Sequence, residues 1–180
     1  MKIAKLAPLA LIAASGSAFA LGFTSEVGKD YTNLDMELGK SSSGLYLQGN
    51  WTKNVKDGAQ VGGVGAGYNL ALGPLMLNAG AKALYIGPKK GDNGMVFPIG
   101  GGVTYNVTDS IAIYGEGYSA PQGLGNSVKN YAEANGGVSW APFTPLTVKV
   151  GYRYAGVDGK DGRPGHTLFD GVYAGAGLTF

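Results

Sequence analysis

The sequence predicts an all-β protein: a single antiparallel transmembrane β-barrel of about ten strands, with about eight as the alternative, joined by short periplasmic turns and longer extracellular loops. Three observations predict it. Apolar residues recur at every second position in segment after segment. The connections between those segments alternate between short and long. Aromatic residues gather towards the ends of the segments, as they do where a strand crosses a membrane interface.

The chain opens with Lys2 and Lys5, an apolar run LAPLALIAASG, and Ala18-Phe19-Ala20. A basic start, a short greasy stretch and a small-x-small site read as a cleaved secretory signal peptide over residues 1–20. The run is short for a helix that must cross with roughly 20 residues, and it contains Pro8, which argues against an anchor. Residues 21–180 are then one barrel domain.

Composition narrows the function. Without Lys2 and Lys5 the basic and acidic residues balance, so the basic footprint of a nucleic-acid binder is missing. There is no cysteine, hence neither a disulfide framework nor a thiolate metal site. Glycine makes up 33 of 180 residues, yet it is interleaved with Val, Leu, Ile and Tyr rather than set in a polar tract. Disordered chains lack those partners, so closely packed strands are the better reading.

The periodicity places strands at roughly 22–29, 33–40, 44–53, 59–70, 75–86, 95–105, 111–119, 131–141, 146–154 and 170–180. Short turns fall at SSSG, ALGP, NVTDS and PFTP. The long connections are KNVKDG, GPKKGDNG, APQGLGNSVKN and AGVDGKDGRPGHTLF; the first connection, DYT, is short and breaks the trend. In an antiparallel meander alternate connections lie at opposite ends, which is the loop asymmetry of an outer-membrane barrel. Hydrocarbon offers no partner to an open strand edge, so the sheet must close.

Faces follow from alternation. Leu34, Met36 and Leu38 alternate with Asp35 and Glu37; Leu45, Leu47 and Trp51 with Tyr46, Gln48 and Asn50. Leu146, Val148, Val150, Tyr152 and Tyr154 alternate with Thr147, Lys149 and Arg153, and Leu75, Leu77, Ala79, Ala81 and Ala83 lie opposite Asn78 and Lys82. AQVGGVGAGYNL is too rich in glycine for its faces to be assigned. On the lipid faces Phe23, Tyr105, Trp140 and Phe180 fall near the short-turn end, and Trp51, Tyr85, Phe97, Tyr152 and Tyr154 near the long-loop end, as two interfacial girdles would require. The last strand, GVYAGAGLTF, ends on Phe180, and such an ending resembles the closing-strand signal that the barrel-assembly machinery recognises. The expected setting is a monomer in the outer membrane of a Gram-negative bacterium, with outer-membrane lipid and lipopolysaccharide as its surroundings.

GKDYTN (28–33), GNWT (49–52), LGPLM (72–76), YAEANGG (131–137) and VGYRYAGVDGKDG (150–162) are together similar to the YfaZ family of predicted outer-membrane proteins. The resemblance runs from the leader to Phe180. It implies an outer-membrane location and a loosely porin-like role, and it implies no site residues.

The candidate lumen set is Asp35, Glu37, Gln48, Asn50, Asn78, Lys82, Glu116, Glu133, Asn135, Lys149 and Arg153. Two readings stand. These charges line a narrow water-filled pore for small polar solutes, or they pair, Glu116 and Glu133 with Lys149, Arg153 or Lys82, and close it. Eight strands hold little more than side chains and 16–18 hold a channel, which places a barrel of this size near the closed end. Catalysis is not expected. His166 is the one histidine; Asp158, Asp161 and Asp170 flank it, but its loop holds no serine. One histidine also argues against zinc, and VDGKDG lacks the spacing of a calcium loop, so no metal or cofactor is expected. A lipid-modifying enzyme is the remaining alternative and would depend on His166. The loops 120–130 and 155–169 are the expected contact surfaces.

Overall fold

Wherever apolar residues alternate, the chain is strand. The computed structural model describes residues 20–88, 93–126, 128–159 and 165–180; the leader read at 1–20 lies, apart from Ala20, outside the described residues, as do Asp161 and Pro164. The strands are β1 (Leu21–Gly28), β2 (Tyr31–Leu38), β3 (Gly44–Asn54), β4 (Gln60–Leu72), β5 (Leu75–Gly87), β6 (Gly94–Val96), β7 (Ile99–Asn106), β8 (Ile111–Ala120), β9 (Val128–Phe143), β10 (Leu146–Gly159) and β11 (His166–Thr179).

All pairings are antiparallel, and β1 pairs with β11 as well as with β2, which closes the sheet on itself. Both β6 and β7 pair with β5, so the eleven segments make a ten-stranded wall. The break falls at Phe97-Pro98 because proline has no N–H to offer the ladder. The Pro98 carbonyl still accepts the Lys82 N–H at 2.9 Å. The first hairpin stands in the wall, so the eight-stranded alternative falls. At the seam the Leu21 N–H donates to the Phe180 carbonyl at 3.0 Å and the Phe180 N–H to the Leu21 carbonyl at 2.9 Å.

Two expectations need correction. DYT is not a connection: the turn is Lys29–Asp30, and Tyr31 already belongs to β2 with its side chain buried. Nor are 120–130 and 155–169 wholly loops. β9 starts at Val128, and β10 and β11 continue the ladder to Val157↔His166, so His166 opens a strand. Glycine and aspartate hid this extension, which rests on cross-strand pairing such as Val157↔Tyr131 rather than on local propensity.

The faces of β4 resolve. Val64 and Tyr68 are exposed on the outer wall, while Val61 and Asn69, of the opposite parity, are buried. Glycines share the inner side, and their neighbours explain why. A Cβ on Gly67 would lie 2.5 Å from the Tyr46 hydroxyl, and one on Gly151 2.8 Å from that of Tyr173. Tyrosine rings therefore lie against bare backbone inside the barrel, which accounts for a composition rich in both residues. At the long-loop end the interior is apolar: Val61, Leu84, Ile86, Val96, Val157, Leu168 and Phe169 form a buried cluster. The Phe169 ring meets Tyr31 at 5.8 Å between centroids. The segment after β8 folds back over that end, where the Leu124 carbonyl accepts the Phe97 N–H at 2.8 Å, Gly125 bridges to Val96, and Leu124 packs on the cluster.

Candidate functional site

Below the apolar cluster the lumen is polar, and side chains from strands that are not neighbours meet across it. Arg153 on β10 donates to Glu26 on β1 at 2.8 Å and to Asp35 on β2 at 3.4 Å. Asn33 Nδ2 donates to the same two carboxylates at 3.1 and 2.6 Å, and the Thr52 hydroxyl holds Asn33 Oδ1 at 2.6 Å. On the far side Lys82 of β5 pairs with Glu133 of β9 and stands 3.9 Å above the centre of the Tyr118 ring. The Tyr131 hydroxyl donates to the other oxygen of Glu133 at 2.5 Å. Such pairing is what permits charge in a space so poor in water.

A third cation comes from a turn. Lys40, between β2 and β3, turns up into the barrel and donates to Glu37 at 2.9 Å, Gln48 at 3.2 Å and Glu116 at 3.2 Å. Burial opposes its charge, but the carboxylates of Glu116 and Glu37 outweigh that and hold its pKa well above the ordinary lysine value.

The structure places all the expected lumen residues inside. Asn135 accepts the Tyr173 hydroxyl at 2.8 Å, and Lys149 lies 5.7 Å from the Tyr114 ring, with no carboxylate in ion-pair contact among the described residues. Gln48 and Asn50 line the lumen with Asp35, and Asn78 keeps a buried amide oxygen. The partners differ from those expected: Glu133 takes Lys82, but Glu116 takes Lys40, and Arg153 takes Glu26 and Asp35. Sequence reasoning missed Glu26, Asn33, Lys40, Tyr118 and Tyr131. Glu26 and Thr24 share the parity opposite Phe23 and Val27, a signal that was there to be read.

Little space is left. Two cavities of about 20 Å³ lie among Arg153, Lys82 and Glu116, each with room for about one water. A wider hollow of about 640 Å³ opens at the short-turn end beneath Lys40, lined by Ser and Thr side chains together with apolar ones such as Met76, Ile111 and Phe143. His166 is exposed at the outer end beside Asp158 and Thr167. The nine girdle candidates, Phe23, Trp51, Tyr85, Phe97, Tyr105, Trp140, Tyr152, Tyr154 and Phe180, are all exposed on the wall.

A closed antiparallel wall, apolar outside and charge-paired within, defines a β-barrel membrane protein. The family described as "YfaZ precursor" matches residues 1–180, and the chain belongs to the YfaZ family. It is 40% identical over 181 residues to the Outer membrane protein YfaZ of Escherichia coli (strain K12), with all of both chains covered. Its location is the bacterial outer membrane. Among solved structures, a chain from "De novo design of transmembrane beta-barrels" is similar at a TM-score of 0.39 and 16% identity, covering 92% of this chain and 98% of that one. Another, from "Unveiling the Mechanism Behind the in-meso Crystallization of Membrane Proteins", has a TM-score of 0.39 and 11% identity over 90% and 83% of the two chains. Both scores are too low to add to the topology above.

Proposed function

We propose that this protein is a non-conducting, non-enzymatic barrel, a structural and surface-presenting element of the outer membrane rather than a porin. The observation that carries this reading is the filled lumen: an apolar cluster under the outer end, paired charges beneath it, and cavities of only about 20 Å³ between them. A hydrated ion needs a continuous aqueous path, and dry apolar constrictions resist one. The exposed rings act as the two interfacial girdles, and the closing strand that ends at Phe180 serves as the assembly signal. The raised end of β9, β10 and β11 is the face presented outward.

The test is single-channel current across a planar bilayer, using protein shown to be folded by its heat-dependent electrophoretic mobility. Silence is the expected result; discrete, reproducible steps would restore the narrow-porin reading. For the enzyme alternative, His166→Ala leaves lipid turnover in outer membranes unchanged, and a loss of turnover would overturn the non-enzymatic reading.

A further inference from the structure

On the outer wall, β11, β1, β2 and β3 surround an apolar bay of about 640 Å³. Phe23, Met36 and Trp51 stand at its rim, while Ser25, Gly49 and Ala176 are too small to fill it. These residues are neighbours across the sheet: Ser25 faces Ala176, and Met36 faces Gly49. A barrel wall is convex, so a hollow of this size marks a place where small side chains lie together.

The same strands carry three lysines at their outer ends. Lys29 lies in the β1–β2 turn, Lys53 two residues beyond Trp51 on the same face of β3, and Lys56 in the turn after β3. All three are exposed, and among the described residues none joins an ion pair. Asp30 and Asp57 share those turns, but neither is in ion-pair contact with a lysine among the described residues, and Asp57 is turned to the Ala59 N–H at 2.9 Å, which leaves the three ammonium groups free to meet an anion.

Height brings the two features together. The wall is lowest at β1 and β2, which have only 8 residues each, beside 11 in β3 and 14 in β11 and against 16 in β9. At roughly 3.4 Å per residue and a tilt of about 40°, the low side stands about 20 Å tall, below the apolar band of about 25 Å usual for such barrels. A bilayer thins to meet a short wall, which draws the outer headgroups down towards these lysines.

We propose that this face binds a phosphorylated, multi-chain lipid of the outer leaflet, of the lipopolysaccharide class. Its phosphates lie on Lys29, Lys53 and Lys56, and an acyl chain fills the bay. Lysine offers each phosphate a charge with three donors, and the apolar rim suits hydrocarbon. A second copy of the barrel fits worse, because a two-fold contact sets hollow against hollow and lysine against lysine. This inference does not depend on whether the lumen conducts.

The experiment is native mass spectrometry of the barrel extracted from outer membranes, with added lipid A, dephosphorylated lipid A or phosphatidylglycerol. Lipid A binds more than about tenfold more tightly than its dephosphorylated form, as three surface lysines allow. The triple variant Lys29→Gln, Lys53→Gln, Lys56→Gln removes that difference, and Gly49→Val weakens both forms together. The variants alter exposed wall and turn positions, and a Cβ on Gly49 meets only the Gly63 carbonyl at 3.8 Å, so folding, checked by heat-dependent mobility, is retained. Equal retention of the two lipid A forms, or a triple variant that binds as the parent does, overturns the phosphate site. Unchanged binding by Gly49→Val overturns the bay. Displacement of lipid A by phosphatidylglycerol at equal concentration overturns the choice of lipid.

Discussion

Lys40 is a turn residue whose side chain belongs to the lumen. Its ammonium is shared by Glu37 and Glu116, so Lys40→Met leaves two carboxylates facing each other with little water to screen them. The loss should be about 2–4 kcal/mol, below the upper range for buried pairs because these groups are only partly enclosed. It would be read as a lower urea midpoint in detergent, and Glu37→Gln in the same chain should recover part of it. The pH dependence has a definite sign. A lysine whose folded pKa is raised contributes its full stability below the unfolded value and loses it only as pH rises through the folded value. The gap in midpoint between parent and Lys40→Met should therefore stay constant from about pH 7 to 10 and close only above that. A gap that narrowed below pH 10 would show that the carboxylates do not hold this ammonium.

Between strands, glycine and tyrosine act as a pair. On Gly67 a Cβ would lie 2.3 Å from the Ala79 carbonyl and 2.5 Å from the Tyr46 hydroxyl, which itself meets the Tyr118 hydroxyl at 3.1 Å. Gly67→Val must displace both the Ala79 carbonyl of the neighbouring strand and the Tyr46 ring, at a cost of about 1–3 kcal/mol or more. Gly49→Ala, whose Cβ would make only an ordinary contact with the Gly63 carbonyl at 3.8 Å, should change stability by less than about 0.5 kcal/mol. Urea titration of the two variants decides it, and equal midpoints would remove the ring-over-backbone account. This arrangement also marks what the sequence could disclose. Where Leu34 and Met36 alternate with Asp35 and Glu37, polarity alone identifies the inner face. In β4, glycine has no polarity to read, and its inward side is chosen by Tyr46 on the neighbouring strand. The wall, its strand order and the inward charges were legible because they depend on period and connection length. The pairing of those charges was not, because Lys82 meets Glu133, and Arg153 meets Glu26, only once ten strands set the width and stagger of the interior. Lys40 was hidden for another reason: the periodicity carries it as the last residue of a strand over 33–40, whereas β2 ends at Leu38 and the turn that follows sends its side chain inward.

The whole molecule has two closures in series, one built of apolar packing and one of paired charge. Leu168, Phe169 and Leu124 shut the outer end, and the Arg153–Glu26–Asp35 cluster fills the section below. Among the described residues only the short-turn end is open, through the hollow beneath Lys40. Resistances in series predict a particular pattern of conductance. Removing the outer closure with Leu124→Gly and Phe169→Ala lets water reach Arg153 but leaves that section occupied, so bilayer recordings stay silent. Replacing Arg153 and Glu26 by Ala, with the outer cluster intact, leaves the apolar end dry and is silent too. Combining the four substitutions joins the two spaces to the periplasmic hollow, and discrete current steps should appear. Because Asp35 then loses its Arg153 partner while Glu133 keeps Lys82, the opened section carries an unpaired carboxylate, and the open form should favour cations. Each variant must first show the heat-dependent mobility of a folded barrel, since removal of buried charge lowers stability as well as resistance. Current from either pair alone would show that a single closure seals this barrel. Silence from folded protein with all four substitutions would place the seal elsewhere, at the Lys40–Glu37–Glu116 cluster above the hollow or among the tyrosines that cross the lumen between Tyr46 and Tyr118 and between Tyr114 and Tyr173.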